Sequence, residues 1–535
     1  MTIIVLEEFN GIAPVLHPHK LAPTLAVVSE NTRLDRAVVE PWRSIAYLED
    51  APFNTRTIFK YQGEFLTSPD HHHVVGAIRP NDPLDRIYYT DIDYPKIRSG
   101  AATFRLGIPK PAVPALGTIV VGNTENITDV FNTRYRVTLV DAWGAEGPPS
   151  DPTLGVELGL GFSVTLDLTG TTVTGNYNFA VGALVRVYRS NSSAGEGVYQ
   201  YVGEIAYGSA SFVDTVTREN LQEALPSEGW IAAPDENTAL YPDGPLASLI
   251  EASWTGLVGH AGNTVFCSEP GVPTAWPYYY SNQHKIVGVS NVQSGILVMT
   301  VAGPYLLAGS DPAALAKVPI ESNQACTSAR SIVDFGEYTI YASPDGLVLA
   351  QGNTATVVTS ALIDKDAWQT FQPETIHAYE YEGMYIGFYG DEAGGTGFVF
   401  DPQGGRNALV TLAGIGVTGG YFSGSTDTLA VVYDNAGQRS IGEFNVGELT
   451  EYRRRTKEFL FPDPVSLHCV RIEADSYPIH LTAWADSEEK GTWTFSNNLV
   501  VKLPGGYRAR EWQWEIRGQG IVTALVFADN MEEMV

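Results

Sequence analysis

Nothing in this chain runs regularly for long. Stretches of period-2 alternation recur from end to end, as at residues 264–268, 296–300, 339–342 and 385–389, and each stops at Gly, Pro, Asn or Asp. Alternation of that period puts every second side chain on one face of a strand, and the 53 glycines and 32 prolines that punctuate it forbid long helices. An all-β chain follows. Helical patterning is confined to residues 24–31, 219–224 and 311–316, none longer than about three turns, which read as connectors.

A strand–turn–strand unit is repeated. Residues 86–98 (RIYYTDIDYPKIR) and 264–277 (TVFCSEPGVPTAWP) each run from a strand through a small or acidic residue to an X-Pro turn and a second strand. A weaker copy at 339–349 (TIYASPDGLVL) turns through Ser-Pro-Asp-Gly. Such units are how β-propeller blades show themselves, because one four-stranded blade cannot bury both its faces alone. The spacing is irregular, and solenoid or sandwich arrangements satisfy the same pattern. The expected core is therefore propeller-like, formed by residues 1–114 and 229–450.

Residues 115–228 differ in texture, being rich in Thr, Val and Gly. The strand at 134–140 (RYRVTLV), the turn Glu146-Gly-Pro-Pro-Ser150 and the strand at 183–189 (ALVRVYR) lie in an order that resembles a fibronectin type III sandwich. The resemblance implies an inserted β-sandwich with the VRVYR strand facing the first. From 451 to 535 a third texture begins, read as a C-terminal β domain.

Charge limits function. With 33 Lys and Arg against 61 Asp and Glu the net charge is −28, the wrong sign for gripping duplex DNA by its phosphates. From Glu451 onward there are 10 basic and 13 acidic residues, so −25 of the total lies in the first 450. Only 18% of residues are charged and 44% are hydrophobic, which supports a packed core. Three widely spaced cysteines, Cys267, Cys326 and Cys469, imply no disulfide framework and a reducing place of assembly. Glu7 and Glu8 stand where a signal peptide needs apolar residues, so secretion by that route is not expected. The apolar stretch 295–309 contains Gly303 and Pro304 and falls short of the roughly 20 residues of a membrane span. It is read as two buried strands and a turn, and no membrane anchor is expected.

Few residues suggest chemistry. His71, His72 and His73 invite a metal, yet consecutive side chains of an extended segment alternate, so at most two face one ion. His17 and His19 flank Pro18 and read as a fixed turn. No metal or other cofactor is expected. Asp82, Asp85, Asp91 and Asp93 are the acidic candidates for a glycosidase, but no nucleophile elbow, zinc motif or phosphate loop accompanies them, so the chain is not expected to be an enzyme. Trp276, Tyr278, Tyr279 and Tyr280 form an aromatic cluster suited to stacking sugars or bases, or to a core or subunit interface. Arg453, Arg454 and Arg455 offer a basic run for docking on phosphate or an acidic partner, or a charged connector between domains.

The succession of motifs points to a family. Phe9-Asn-Gly-Ile-Ala-Pro14, Leu16-His-Pro18, Leu21-Ala-Pro23 and Val39-Glu-Pro-Trp-Arg43 open the chain. Ile286-Val-Gly288, Leu297-Val-Met-Thr300, Ala325-Cys-Thr-Ser-Ala-Arg-Ser331 and Tyr341-Ala-Ser-Pro-Asp-Gly-Leu347 follow, and Leu503-Pro-Gly-Gly-Tyr-Arg-Ala-Arg-Glu-Trp512 and Met531-Glu-Glu533 close it. In this order they resemble structural proteins of tailed-bacteriophage virions, of the tail-nozzle or tail-tube type. The resemblance implies a β-propeller subunit in a ring, usually a hexamer. That ring would be attached to portal and adaptor proteins, sometimes to tail fibres, and would bound the channel through which the genome leaves. It places the protein in the virion tail after assembly in the host cytoplasm. A host-surface-binding tail protein or fibre adaptor is the alternative expectation, and a glycan depolymerase a third.

Overall fold

The computed structural model describes residues 2–126, 130–190, 197–390, 395–404, 408–504 and 507–534. Gly505 and Gly506 of the C-terminal motif lie outside them. Among the described residues the architecture is nearly all β, in many small sheets. The α-helix Lys365–Gln369 is one short exception, started by Asp364 Oδ1 accepting from the Ala367 amide at 2.8 Å. No helix is long and apolar enough to cross a membrane. The chain divides into two compact units, one of Met1–His71, Leu297–Leu306 and Val318–Val535, the other of His72–Ile296 and Leu307–Lys317.

The first unit is organised by a ten-stranded sheet into which the N-terminus is woven. Ala26–Glu30 pairs antiparallel with Tyr452–Thr456 and, through Glu30 and Thr411, parallel with Val410–Leu412. The helix expected over 24–31 is thus a strand. Val27 and Val28 are β-branched, and sheet neighbours on both sides claim the backbone groups that a helix would have used internally. The strands beyond 451 likewise depend on the start of the chain. Val522–Ala528 pairs with Ile3–Leu6, from Ile3 opposite Ala528 to Leu6 opposite Leu525. Trp42, Trp512, Trp514 and Phe527 fill the core beneath, with the Trp514 and Phe527 rings stacked at 3.9 Å.

Smaller sheets follow the expected hairpins. Thr339–Ser343 and Gly346–Gln351 meet with Ser343 opposite Gly346, leaving Pro344 and Asp345 as the turn. Gly346 has φ 149°, and a Cβ there would collide with Thr359 and Val357. This hairpin lies inside the four-stranded sheet Val333–Asp334, Thr339–Ser343, Gly346–Gln351 and Thr354–Val357. Another joins Val417–Ser423, Thr428–Asn435 and Gln438–Glu443 to Ala46–Asp50, again a strand from early in the chain. The segment 295–309 holds the strands Gly295–Thr300 and Pro304–Ala308, largely buried, as its apolar run predicts.

The second unit contains two four-stranded sheets of consecutive strands. One runs Val74–Val75, Ile87–Tyr89, Lys96–Ser99, Ala102–Arg105; the other Ser248–Ala252, Gly256–Ala261, Thr264–Cys267, Tyr278–Ser281. Between them, among the described residues, lie two three-stranded antiparallel sheets, Ala115–Val120 with Ser163–Asp167 and Ser211–Asp214, and Tyr135–Val140 with Leu184–Ser190 and Tyr199–Ala206, and the two-stranded pair Phe131–Thr133 with Val156–Leu158. Val137, Leu139, Val164, Leu166, Val185 and Val187 share one core. The VRVYR strand does not face RYRVTLV across that core but lies hydrogen-bonded beside it, Tyr135 opposite Arg189 and Val140 opposite Leu184.

At the end of this core sits an ion pair with no solvent exposure of either side chain. Arg189 Nη1 and Asp214 Oδ2 are 2.6 Å apart. The same oxygen accepts from the Tyr135 hydroxyl at 2.7 Å, and Oδ1 accepts from the Val216 amide at 2.8 Å. Asp214→Asn leaves the guanidinium buried without its counter-charge, and should cost about 3–5 kcal/mol. Urea unfolding of the full chain, followed through the transition of the second unit, measures it; a loss below about 1 kcal/mol would show that the pair is not the anchor its burial indicates.

Candidate functional site

The arginine run occupies the Tyr452–Thr456 strand, where alternation sends Arg453 and Arg455 to one face and Arg454 to the other. Arg455 lies opposite Glu515 on the neighbouring strand, and Arg453 opposite Arg517. Two guanidiniums facing each other would repel, but Glu515, 1% exposed at its side chain, lies between them. Its Oε2 takes Arg453 at 3.0 Å and Arg455 at 2.8 Å, and its Oε1 takes Arg517 at 2.8 Å. Arg455 also lies over the Trp484 ring at 4.3 Å.

On the other face Arg454 is buried and meets neutral oxygens. Its Nη1 donates to the Asn10 carbonyl at 2.7 Å and to Ser29 Oγ at 3.2 Å, and its Nη2 to the Thr24 carbonyl at 2.8 Å. Burial pulls its pKa down to about 9, so it keeps its charge at neutral pH. The expected docking run is therefore an internal tie. A charged partner would have to displace carbonyls and a carboxylate already in place.

The aromatic cluster is dispersed in the same way. Trp276 is fully buried, its Nε1 donating to the Pro273 carbonyl at 2.9 Å. Tyr278 and Tyr280 share a face of the Tyr278–Ser281 strand. The Tyr278 hydroxyl donates to Glu269 at 2.7 Å, while that of Tyr280 donates to the Pro312 carbonyl at 2.8 Å and accepts from the Leu315 amide at 3.1 Å. Tyr279, on the opposite face, is 64% exposed. One ring, not four, is presented to solvent.

His71 is exposed, while His72 and His73 are half-buried, with the His72 and Tyr89 rings 6.2 Å apart. Asp82 accepts from Arg86 Nε at 2.6 Å and from the Leu84 amide at 3.2 Å. Asp91 and Asp93 share Lys96 Nζ, at 2.5 and 3.3 Å. These carboxylates hold turns and cations. All three cysteines are buried and none is in a disulfide, and burial pushes the thiols of Cys267 and Cys326 up to about 12.

Among the described residues, the three metal-ligating side chains that do come together are His17, His19 and Glu458, each offering a ligand atom within 4.8 Å of the other two. Sequence reasoning held the first two as a turn and had no access to the third, which the fold brings from the far end of the chain.

No protein-family description matches the chain, and no curated protein matches it. Among solved structures, BBS1N in its complex with ARL6DN is 10% identical and aligns over 76% of this chain and 100% of its own, with a TM-score of 0.29. Sqt1 of Saccharomyces cerevisiae is 11% identical over 75% of this chain and 99% of its own, at 0.25. Both scores lie far below 0.5, and neither fold nor function is drawn from them.

Two outcomes test these assignments. Desolvation pushes the Glu515 carboxyl up, but Arg517, Arg455 and Arg453 together outweigh it and hold it below its ordinary value of 4.5. A depressed folded-state pKa contributes stability that is complete above 4.5 and drains away as pH falls through the folded-state value. Glu515→Gln should therefore be less stable than the parent at pH 7, with the gap closing in acid; a gap independent of pH would rule the charge cluster out. Tyr280→Phe should cost about 1 kcal/mol for its two hydrogen bonds, whereas Tyr279→Ala stays within about 0.5 kcal/mol, both read from thermal melts.

Proposed function

We propose that this chain is a non-enzymatic structural protein of a tailed-bacteriophage virion, a subunit of the ring-shaped nozzle or tail tube that forms the channel for genome ejection. In this reading the four-stranded sheets are blades of a β-propeller core, residues 115–228 are a fibronectin type III-like insertion, and the strands from 451 to 535 complete a C-terminal β domain. Copies of the chain pack laterally into a ring, six by the resemblance. The ring joins portal and adaptor proteins above and, in some virions, fibres.

The observation that carries this reading is the disposition of charge. A net −28 is spread over the chain, while its densest basic run is consumed by Glu515 and by the carbonyls of Asn10 and Thr24. An acidic channel wall repels phosphate over a screening length of about 8 Å, which favours sliding of DNA over adhesion. The resemblance of the ordered motifs from Phe9 to Glu533 to those of such virion proteins supports the reading. The exposed Tyr279 favours a second reading, a tail protein or fibre adaptor that touches a host-surface glycan.

Electron microscopy of virions carrying a label on this polypeptide is expected to find it as a ring at the distal end of the tail. Label on fibres would favour the second reading, and virions without the polypeptide would end both. Purified chain should leave the mobility of duplex DNA unchanged at about 0.15 M salt; retention would sink the conduit.

A further inference from the structure

His17 and His19 sit on either side of Pro18, two positions apart, yet their rings stack at 4.7 Å with planes 24° apart. The short 3-10 turn Pro18–Lys20 brings this about, folding the segment so that both imidazoles turn to one side. The His17 ring faces solvent. The His19 Nδ1 lies 3.0 Å from Glu458 Oε2, with side-chain exposures of 30% and 21%.

The approach is fixed from below. Lys457, next to Glu458, spends its ammonium on the carbonyls of His19 at 3.0 Å and Leu21 at 2.6 Å, which pins the histidine turn beside the carboxylate. The backbone contact from the His19 amide to His17 Nδ1 is long, 3.4 Å, and too weak to commit that nitrogen.

We propose that His17, His19 and Glu458 form a binding site for a divalent transition-metal ion of the zinc class. Two imidazoles and one carboxylate are the donor set that suits Zn²⁺, Ni²⁺ or Cu²⁺; Ca²⁺ and Mg²⁺ need a shell of six or more oxygens that one carboxylate does not supply. Ligand atoms within 4.8 Å of one another are near the spacing that ligand bonds of about 2.0–2.2 Å to one ion require. Water or a residue of another molecule takes the fourth position on the His17 side. Bound there, the ion clips the start of the chain to the strands near its end and adds its binding free energy to the stability of the first unit. Three ligand atoms, one from each side chain, serve a single ion, so the site holds one.

The full chain, stripped with EDTA and titrated with ZnCl2 by calorimetry, is expected to take up one equivalent. His17→Ala, His19→Ala and Glu458→Gln should each weaken binding by at least about tenfold. The triple change His71→Ala, His72→Ala, His73→Ala should leave it intact. Zn²⁺ should raise the melting temperature of the parent and not of the variants, and Co²⁺ in its place should give the visible absorption of a four-coordinate ion. Glu458→Gln preserves shape, so its melting temperature in EDTA, matched to the parent's, separates lost binding from lost folding. Uptake that survives removal of both His17 and His19, uptake lost with the 71–73 triple, or no uptake at millimolar ZnCl2 overturns the site.

Discussion

A guanidinium sealed from water must be given oxygens or it will not stay. Arg454 receives them from Asn10, Ser29 and Thr24, and so its burial depends on the N-terminal segment lying across the strand that carries it. The segment in turn depends on that strand, since Val28, Ser29 and Glu30 pair with Arg455, Arg454 and Arg453, and Ala26 with Thr456 across a register shift. Side chain and ladder reinforce each other. On the opposite face Glu515 does for Arg453 and Arg455, and for Arg517 of the neighbouring strand, what the carbonyls do for Arg454, so three like charges on two adjacent strands are held around one buried carboxylate. The large tryptophan core of the first unit packs against a sheet held in register by these contacts.

The second unit solves a similar problem with a different instrument. Its buried carboxylates, Asp214 and Glu146, each satisfy an arginine and a tyrosine hydroxyl: Arg189 with Tyr135, and Arg186 with Tyr188. Polar groups with few ways of being satisfied restrict how two apolar sheets can slide over one another. The alignment of the core sheets is thus the one in which Asp214 and Glu146 reach both their arginines and their tyrosines.

What could be read from the sequence was local. The hairpin at 339–349 is visible because its turn residues, Pro344, Asp345 and Gly346, specify the geometry where they stand, and the buried strands of 295–309 are visible because a continuous apolar run has few other fates. What escaped was long-range. Residues 24–31 look helical in isolation and are a strand because partners hundreds of positions away claim their backbone. Arg453 to Arg455 look like a surface patch because no local signal says that Glu515 is opposite and Asn10 behind. His17 and His19 read as a turn, which they are; Glu458 beside them is a consequence of topology that no spacing rule contains.

The pairing of early strands with partners from far along the chain sets an order of events during synthesis. The second unit is drawn almost entirely from one continuous stretch, His72–Ile296, and can pack once the short Leu307–Lys317 segment has emerged. Strands Ile3–Leu6 and Ala26–Glu30 must wait for Val522–Ala528 and Tyr452–Thr456, which are made hundreds of residues later. Until those partners emerge the early strands present unpaired edges, so segments made early settle late.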